Sequence, residues 1–199
     1  MLKGRFKIGA RAAQGPSRFG ETVIKRKREW FDDDSFWISF YPFMFPDQKF
    51  IQAEELLGKV LKLSGAKGRD VLDLCCGPGR FSIPLAKRKF RVTGVDRTAF
   101  LLDQAKRKAK TANVRIEWVQ EDMRSFIRPE SFDLVLSMFT SFGYFDDKDE
   151  DIQVLENIWT SHRLGGHGRR RPGDRFRGPL RLARPRGRRL GALSILGAG

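Results

Sequence analysis

Three carboxylates stand at or just beyond the ends of short apolar runs in this 199-residue chain: Asp73 within Val71-Leu72-Asp73-Leu74, Asp96 after Val92-Thr93-Gly94-Val95, and Asp122 beyond Val114–Val119. Next to the first comes Cys75-Cys76-Gly77-Pro78-Gly79. Its Gly-Pro-Gly forces a tight turn and lets backbone approach a ligand, because glycine has no side chain to hold it off. A dinucleotide turn reads Gly-x-Gly-x-x-Gly and a phosphate loop Gly-x-x-x-x-Gly-Lys-Ser/Thr. Here Ser82 replaces the third glycine, and no phosphate loop occurs. Asp73 beside the turn repels a phosphate and attracts a cationic or hydroxyl-bearing group. Asp96 follows Gly79 by 17 residues, close to the spacing at which an acid at the tip of a second strand accepts protons from ribose hydroxyls. The bland alternative makes Asp96 the first residue of a helix.

These groups need elements to hold them. Arg69–Phe81 reads as a buried parallel strand running into the turn, and Ser82, Ile83, Leu85 and Ala86 as a helix whose positive end is Lys87-Arg88-Lys89. Phe90–Asp96 predicts the second strand. Thr98 is placed to cap a helix that turns Ala99, Leu101, Leu102, Ala105 and Ala109 inward, and its run Lys106–Lys110 reads as a solvated face. Val114–Val119 and Phe132–Met138 predict strands three and four, and Asp149–Trp159 an amphipathic helix. Upstream, Gln52–Leu63 has helical spacing. Between Trp30 and Phe45 lie eight aromatic residues, which read either as anchors for an N-terminal helix or as an aromatic lid. Alternating strands and helices predict an α/β fold with a doubly wound parallel sheet, Rossmann-like in plan.

Asp73-Leu74-Cys75-Cys76-Gly77-Pro78-Gly79 resembles the first motif of the class I S-adenosylmethionine-dependent methyltransferases, Asp/Glu-x-Gly-x-Gly-x-Gly, with Cys75 where the first glycine stands. The cysteine side chain predicts a backbone there that avoids positive φ. The likeness spans about Glu29–Gly166 and is nearest to the methyltransferase 11 and 25 domain kind. It implies S-adenosylmethionine as cofactor: the methionine end at Asp73, Cys75, Gly77 and Gly79, the ribose at Asp96 and Arg97, the adenine at Asp122 and Met123, with Met138 also on the cofactor. It implies an acceptor near Phe142 and Tyr144, with core packing the competing role for Phe142. Aromatic faces suit a sulfonium donor. No essential catalytic base is evident. The Asn/Asp-Pro-Pro-Tyr/Phe run that amino methyltransferases use on nucleic-acid bases is absent, so the resemblance implies methyl transfer to a small molecule.

The net charge of +15 suggests nucleic acid until it is divided. Residues 1–28 hold nine Lys/Arg and one acid, residues 161–199 eleven Arg and one acid, and the middle is net −3. The basic character lies at the ends, so nucleic acid is a possible partner and not the favoured one. The expected organisation is a basic extension over 1–28, a domain over 29–162, and an Arg/Gly-rich tail over 163–199. That tail has no Val, Thr or Tyr and predicts little burial, with C-terminal strands missing or disordered. Translation in a shifted reading frame of GC-rich DNA would produce such a composition; an Arg-rich RNA-binding tail is the rival. The functional alternatives are a truncated, inactive relative of the methyltransferases, or an RNA-binding or RNA-methylating protein that uses its basic ends. The extension also permits a transit-peptide reading. Adjacent Cys75 and Cys76 are poorly placed for a disulfide and lack metal-ligand spacing, and no apolar run spans a membrane, so a cytoplasmic protein without metal is expected.

Overall fold

The computed structural model describes residues 29–139 and 141–163. The extension and all but Arg163 of the tail lie outside the described residues, as does the reading-frame expectation attached to the tail. A 3-10 turn at Trp30–Asp32 leads into α1 (Asp34–Met44) and α2 (Asp47–Ser64). Then follow β1 (Asp70–Leu74), α3 (Ser82–Lys87), β2 (Arg91–Asp96), α4 (Ala99–Thr111), β3 (Glu117–Gln120), β4 (Leu134–Ser137) and α5 (Lys148–Ser161). The four strands are parallel in the order β3-β2-β1-β4. The chain first moves outward through β2 and β3, then returns to the other side of β1. The crevice between β1 and β4 is therefore the switch point where open α/β sheets hold ligands.

The period-two pattern divides the core. Val71, Val92, Leu134 and Leu136 pack with Leu57, Val60 and Leu85 of α2 and α3, while Leu72, Leu74, Val95 and Val135 pack with Val154 and Ile158 of α5. With helices on both faces, these strands read as nearly continuous apolar runs. The doubly wound architecture is as the sequence predicts.

Several strands start later than predicted, for a definite reason. At the end of α3, Lys89 takes φ 68° and Phe90 N–H donates to Leu85 C=O. At the end of α4, Asn113 takes φ 51° and Val114 N–H donates to Ala109 C=O. Both are left-handed helix stops that satisfy the last carbonyls. Phe90 and Val114 are spent on ending helices, so β2 begins at Arg91 and β3 at Glu117. Thr98 occupies the predicted cap position of α4, but its side chain makes no capping bond to the helix.

Trp118 of β3 lies beneath two glycines. A Cβ built on Gly94 would sit 2.6 Å from the indole, and one on Gly79 would sit 3.1 Å from it. Gly94→Ala should destabilise the domain by about 1–3 kcal/mol through overpacking. Urea denaturation of the single variants and of Gly94→Ala/Trp118→Leu checks this, because the double variant should recover part of the loss.

Candidate active site

The cavity opens at the C-terminal ends of β1, β2 and β4. Asp73, Asp96 and Asp122 line it together with Cys75, Gly77, Met123 and Met138. The glycine turn forms its floor. Gly77 (φ 54°) and Gly79 (φ 82°) take left-handed conformations, and a Cβ on Gly77 would point toward the Phe45 ring at 3.8 Å. Gly79 does not line the cavity: Trp118, Ile83 and Ala105 surround it, so its role is to let α3 and α4 close on the turn.

Cys75 corrects the sequence expectation. Its φ is 59°, in the region an L side chain was expected to avoid. Hydrogen bonds on the following residues impose it: Cys76 N–H donates to Val95 C=O at 2.9 Å, and Gly77 N–H to Asp96 Oδ2 at 2.8 Å. These outweigh a left-handed cost of roughly 1–2 kcal/mol. The Cys75 thiol contacts Met123 Sδ at 3.3 Å. Burial pushes its pKa, and that of Cys76, well above the usual thiol range, so both stay protonated.

The three carboxylates occupy different states. Asp73 is buried and accepts the Ser82 hydroxyl at 2.5 Å. Burial raises its pKa to about 6, more than the Ser82 hydrogen bonds lower it. Asp96 accepts Gly77 N–H on Oδ2 and Thr98 N–H on Oδ1 at 2.9 Å. Burial raises its pKa, partly offset by those donors. It therefore serves the helix start and the turn together, with the Thr98 hydroxyl also bonded to it. For Asp122, burial acts upward, but Arg124 and Arg97 outweigh it and hold the carboxyl below its usual value. Arg124 donates Nε to Oδ1 at 2.9 Å and Nη2 to Oδ2 at 2.6 Å. Asp122 is thus largely engaged by protein groups.

Arg97 ties the N-terminal segment to this rim. It ion-pairs with Asp32, stands 3.5 Å from Asp122 and lies over the Phe31 ring. Phe31, Trp37 and Phe45 reach the cavity, and Trp37 Nε1 donates to Phe31 C=O at 3.0 Å. Phe40 and Phe43 of α1 face outward, Phe43 being 82% exposed. The aromatic stretch thus anchors at its two ends and walls the cavity from there. Of the expected acceptor residues, Tyr144 lines the cavity, whereas Phe142 packs against the core cluster of Leu72, Val135 and Val154. Arg80, Phe139 and Ser141, none of which the sequence singled out, also line it. Arg80 was signalled by its place directly after the glycine turn.

Residues 71–166 match the family model described as a methyltransferase domain. A Geobacillus sp. (strain WCH70) protein, named provisionally as a methyltransferase, is 35% identical over 113 residues, 56% of this chain and 43% of that protein. The tRNA (uracil(54)-C(5))-methyltransferase of Pyrococcus abyssi is 35% identical over 109 residues, 55% of this chain and 26% of that enzyme. The chain thus spans less than half the length of these curated relatives. A Clostridium acetobutylicum S-adenosylmethionine-dependent methyltransferase of known structure superposes with TM-score 0.56 at 19% identity, covering 67% of this chain and 54% of that one, a likeness of fold.

Keeping Asp73 ionised costs the fold roughly 3 kcal/mol, from a pKa of 3.8 raised to about 6. The folded state prefers the proton, so the penalty is absent below about pH 4, grows between pH 4 and 6 and is complete above 6. Asp73→Asn should therefore stabilise the ligand-free protein by about 1–3 kcal/mol at pH 7.5. Its advantage over the parent chain should vanish near pH 4, as urea denaturation at both pH values will show.

Proposed function

We propose that the chain, whose residues 71–166 match a methyltransferase domain, is a methyltransferase of the class I kind that binds S-adenosylmethionine in this cavity and methylates a small-molecule acceptor. The observation that carries the reading is the meeting of Asp73, Asp96 and Asp122 around one glycine turn, beside an aromatic wall. When bound, the cofactor supplies an electrophilic methyl carbon on a sulfonium sulfur.

The residues fit such a group. Asp96 lines the cavity as an acceptor for a ribose hydroxyl, and Gly77 leaves room for backbone contact. Met123, Leu101 and Val95 offer apolar surface for a flat base. Asp122, gripped by Arg124, acts mainly by fixing the loop in which Met123 stands. Asp73 ionised holds an ammonium group, so cofactor affinity falls by at most about tenfold per pH unit as that carboxyl takes up its proton below about pH 6. Phe31, Trp37 and Phe45 exclude water and offer ring faces to the sulfonium. Orientation of the acceptor against the methyl carbon is the main catalytic contribution, since well-positioned groups can remove roughly 7–11 kcal/mol of barrier. Tyr144 and Ser141 stand on the acceptor side; Phe142 does not. The methyltransferase unit of this chain would span residues 29–162.

A small acceptor suits an aromatic-walled cavity and the sequence after β4, Met138-Phe139-Thr140-Ser141, which lacks the Pro-Pro element of base-directed amino methyltransferases. The second reading, RNA methylation, draws on the likeness to the Pyrococcus abyssi enzyme and on the basic ends. Among the described residues no helix is long and apolar enough to cross a membrane.

Calorimetric titration with S-adenosylhomocysteine should give saturable binding, lost by at least about 100-fold in Asp96→Ala, since that change removes a buried charged acceptor. No binding by the folded parent chain would sink the proposal. Tritium from methyl-labelled cofactor, followed into the small-molecule and RNA fractions of a cell extract, decides the acceptor class. Label confined to RNA would replace the first reading by the second.

A further inference from the structure

The helix α1 is apolar on both of its sides, and the domain uses only one of them. It carries a single charged residue, Asp34, among eleven, and none of the eleven is buried. On the inner side Trp37 and Met44 line the cavity, and Tyr41 packs edge-on against Phe100 of α4. On the outer side Ile38 and Phe40 are about half exposed and Phe43 is 82% exposed. A helix at the surface of a globular domain normally turns charged residues outward. Here rings take their place. They also form a continuous track: Phe40 stacks on Phe36 at 4.8 Å between centroids, Phe36 meets Trp30 at 5.0 Å, and Trp30 meets Tyr144 at 5.5 Å. Tyr144 lines the cavity, so the exposed face and the cavity wall belong to one aromatic body.

Charge decides which partner such a face fits. Lys25-Arg26-Lys27-Arg28 stands directly before Glu29-Trp30 and ends a stretch, residues 1–28, that holds nine Lys/Arg and one acid. Of the acids that follow, Glu29 and Asp32 close a capping box, Asp32 also pairs with Arg97, and Asp33 caps α1 through the Ser35 N–H and hydroxyl. Asp34 occupies the first turn, where the helix dipole favours it. A basic run beside an apolar, ring-rich helix is the pairing by which proteins lie on an anionic lipid surface: the rings enter the acyl boundary and the cations meet the headgroups. Trp30 stands half exposed at the junction of the two, as an interfacial tryptophan does. Single-stranded RNA fits less well, because its platforms interleave cations with rings to track the phosphates, and no Lys or Arg occurs between Asp34 and Phe45. A second copy of the chain also fits less well, because a two-fold contact through α1 would bring two Lys25–Arg28 runs together.

We propose that the outward face of α1 seats the domain on an anionic lipid surface, with Phe40 and Phe43 inserted and the Lys25–Arg28 run at the headgroups. The docking stands independently of the cofactor reading. Joined to that reading, it names the acceptor class: an amphiphile drawn from the bilayer, since Trp37 and Met44 of the same helix line the cavity.

The test sediments the full chain with vesicles of phosphatidylcholine alone and with vesicles in which about one-third of the lipid is phosphatidylserine. The parent chain should bind the mixed vesicles and be released as salt is raised. Phe40→Ser/Phe43→Ser should lose at least about tenfold in vesicle affinity, each ring being a large apolar contribution. Both rings are exposed, so the double variant should keep its fold, which circular dichroism checks. Ile152→Ser, at a similarly exposed apolar position on α5, should bind as the parent does. No binding by the parent chain would overturn the proposal, as would equal affinity in the double variant or equal loss in Ile152→Ser. A double variant that loses affinity for a single-stranded RNA oligonucleotide and not for vesicles would make the face a nucleic-acid platform instead. A parent chain that sediments as a dimer through those rings and leaves the vesicles unbound would make it a contact between two copies. None of these readouts involves the cofactor, so failure of the docking and failure of the cofactor reading are told apart.

Discussion

The site depends on one carboxylate doing the work of a brace. Asp96 at the tip of β2 receives Gly77 N–H on one oxygen and Thr98 N–H on the other. It thereby joins the glycine turn after β1 to the start of α4, two segments that the sheet alone brings near each other. Hydrogen bonds from backbone N–H groups to a buried carboxylate are among the stronger ones in proteins. This one holds the turn so firmly that Cys75 accepts a left-handed backbone. The shape of the floor follows from it.

Around that brace the molecule keeps charge where a merely stable protein would not. Asp73 is buried with a raised pKa, and the Arg80 guanidinium lies partly buried between the rings of Phe45 and Phe139. Elsewhere Arg163 bridges Asp70 and Asp133 at the opposite end of the strands, and Arg128 grips Glu117. Polar groups held ready at a cost to the fold are what a binding site requires.

The sheet and the carboxylates were legible in the sequence because both follow from local pattern. Val71-Leu72 and Leu134–Leu136 are apolar whatever lies beyond them, and Asp73 and Asp96 are placed by their distance from the glycines. What could not be read depends on partners far along the chain. Trp118 packs under Gly79 and Gly94, and Phe139 stacks on Arg80 from nearly sixty residues away. Phe142 and Tyr144 sit in a loop without period, so nothing in their spacing tells which faces the cavity. The conformation of Cys75 escaped for a related reason, since local sterics argued against it and hydrogen bonds from β2 decided it. Phe90 and Val114 looked like strand residues by composition, yet the helices before them needed their N–H groups first.

The most direct measurement is a crystal structure of the chain with S-adenosylhomocysteine. The account predicts the ribose hydroxyls within hydrogen-bond distance of Asp96, with the Gly77 turn beneath the ligand. A ligand bound elsewhere, or one seated in the cavity with its ribose away from Asp96, would contradict it.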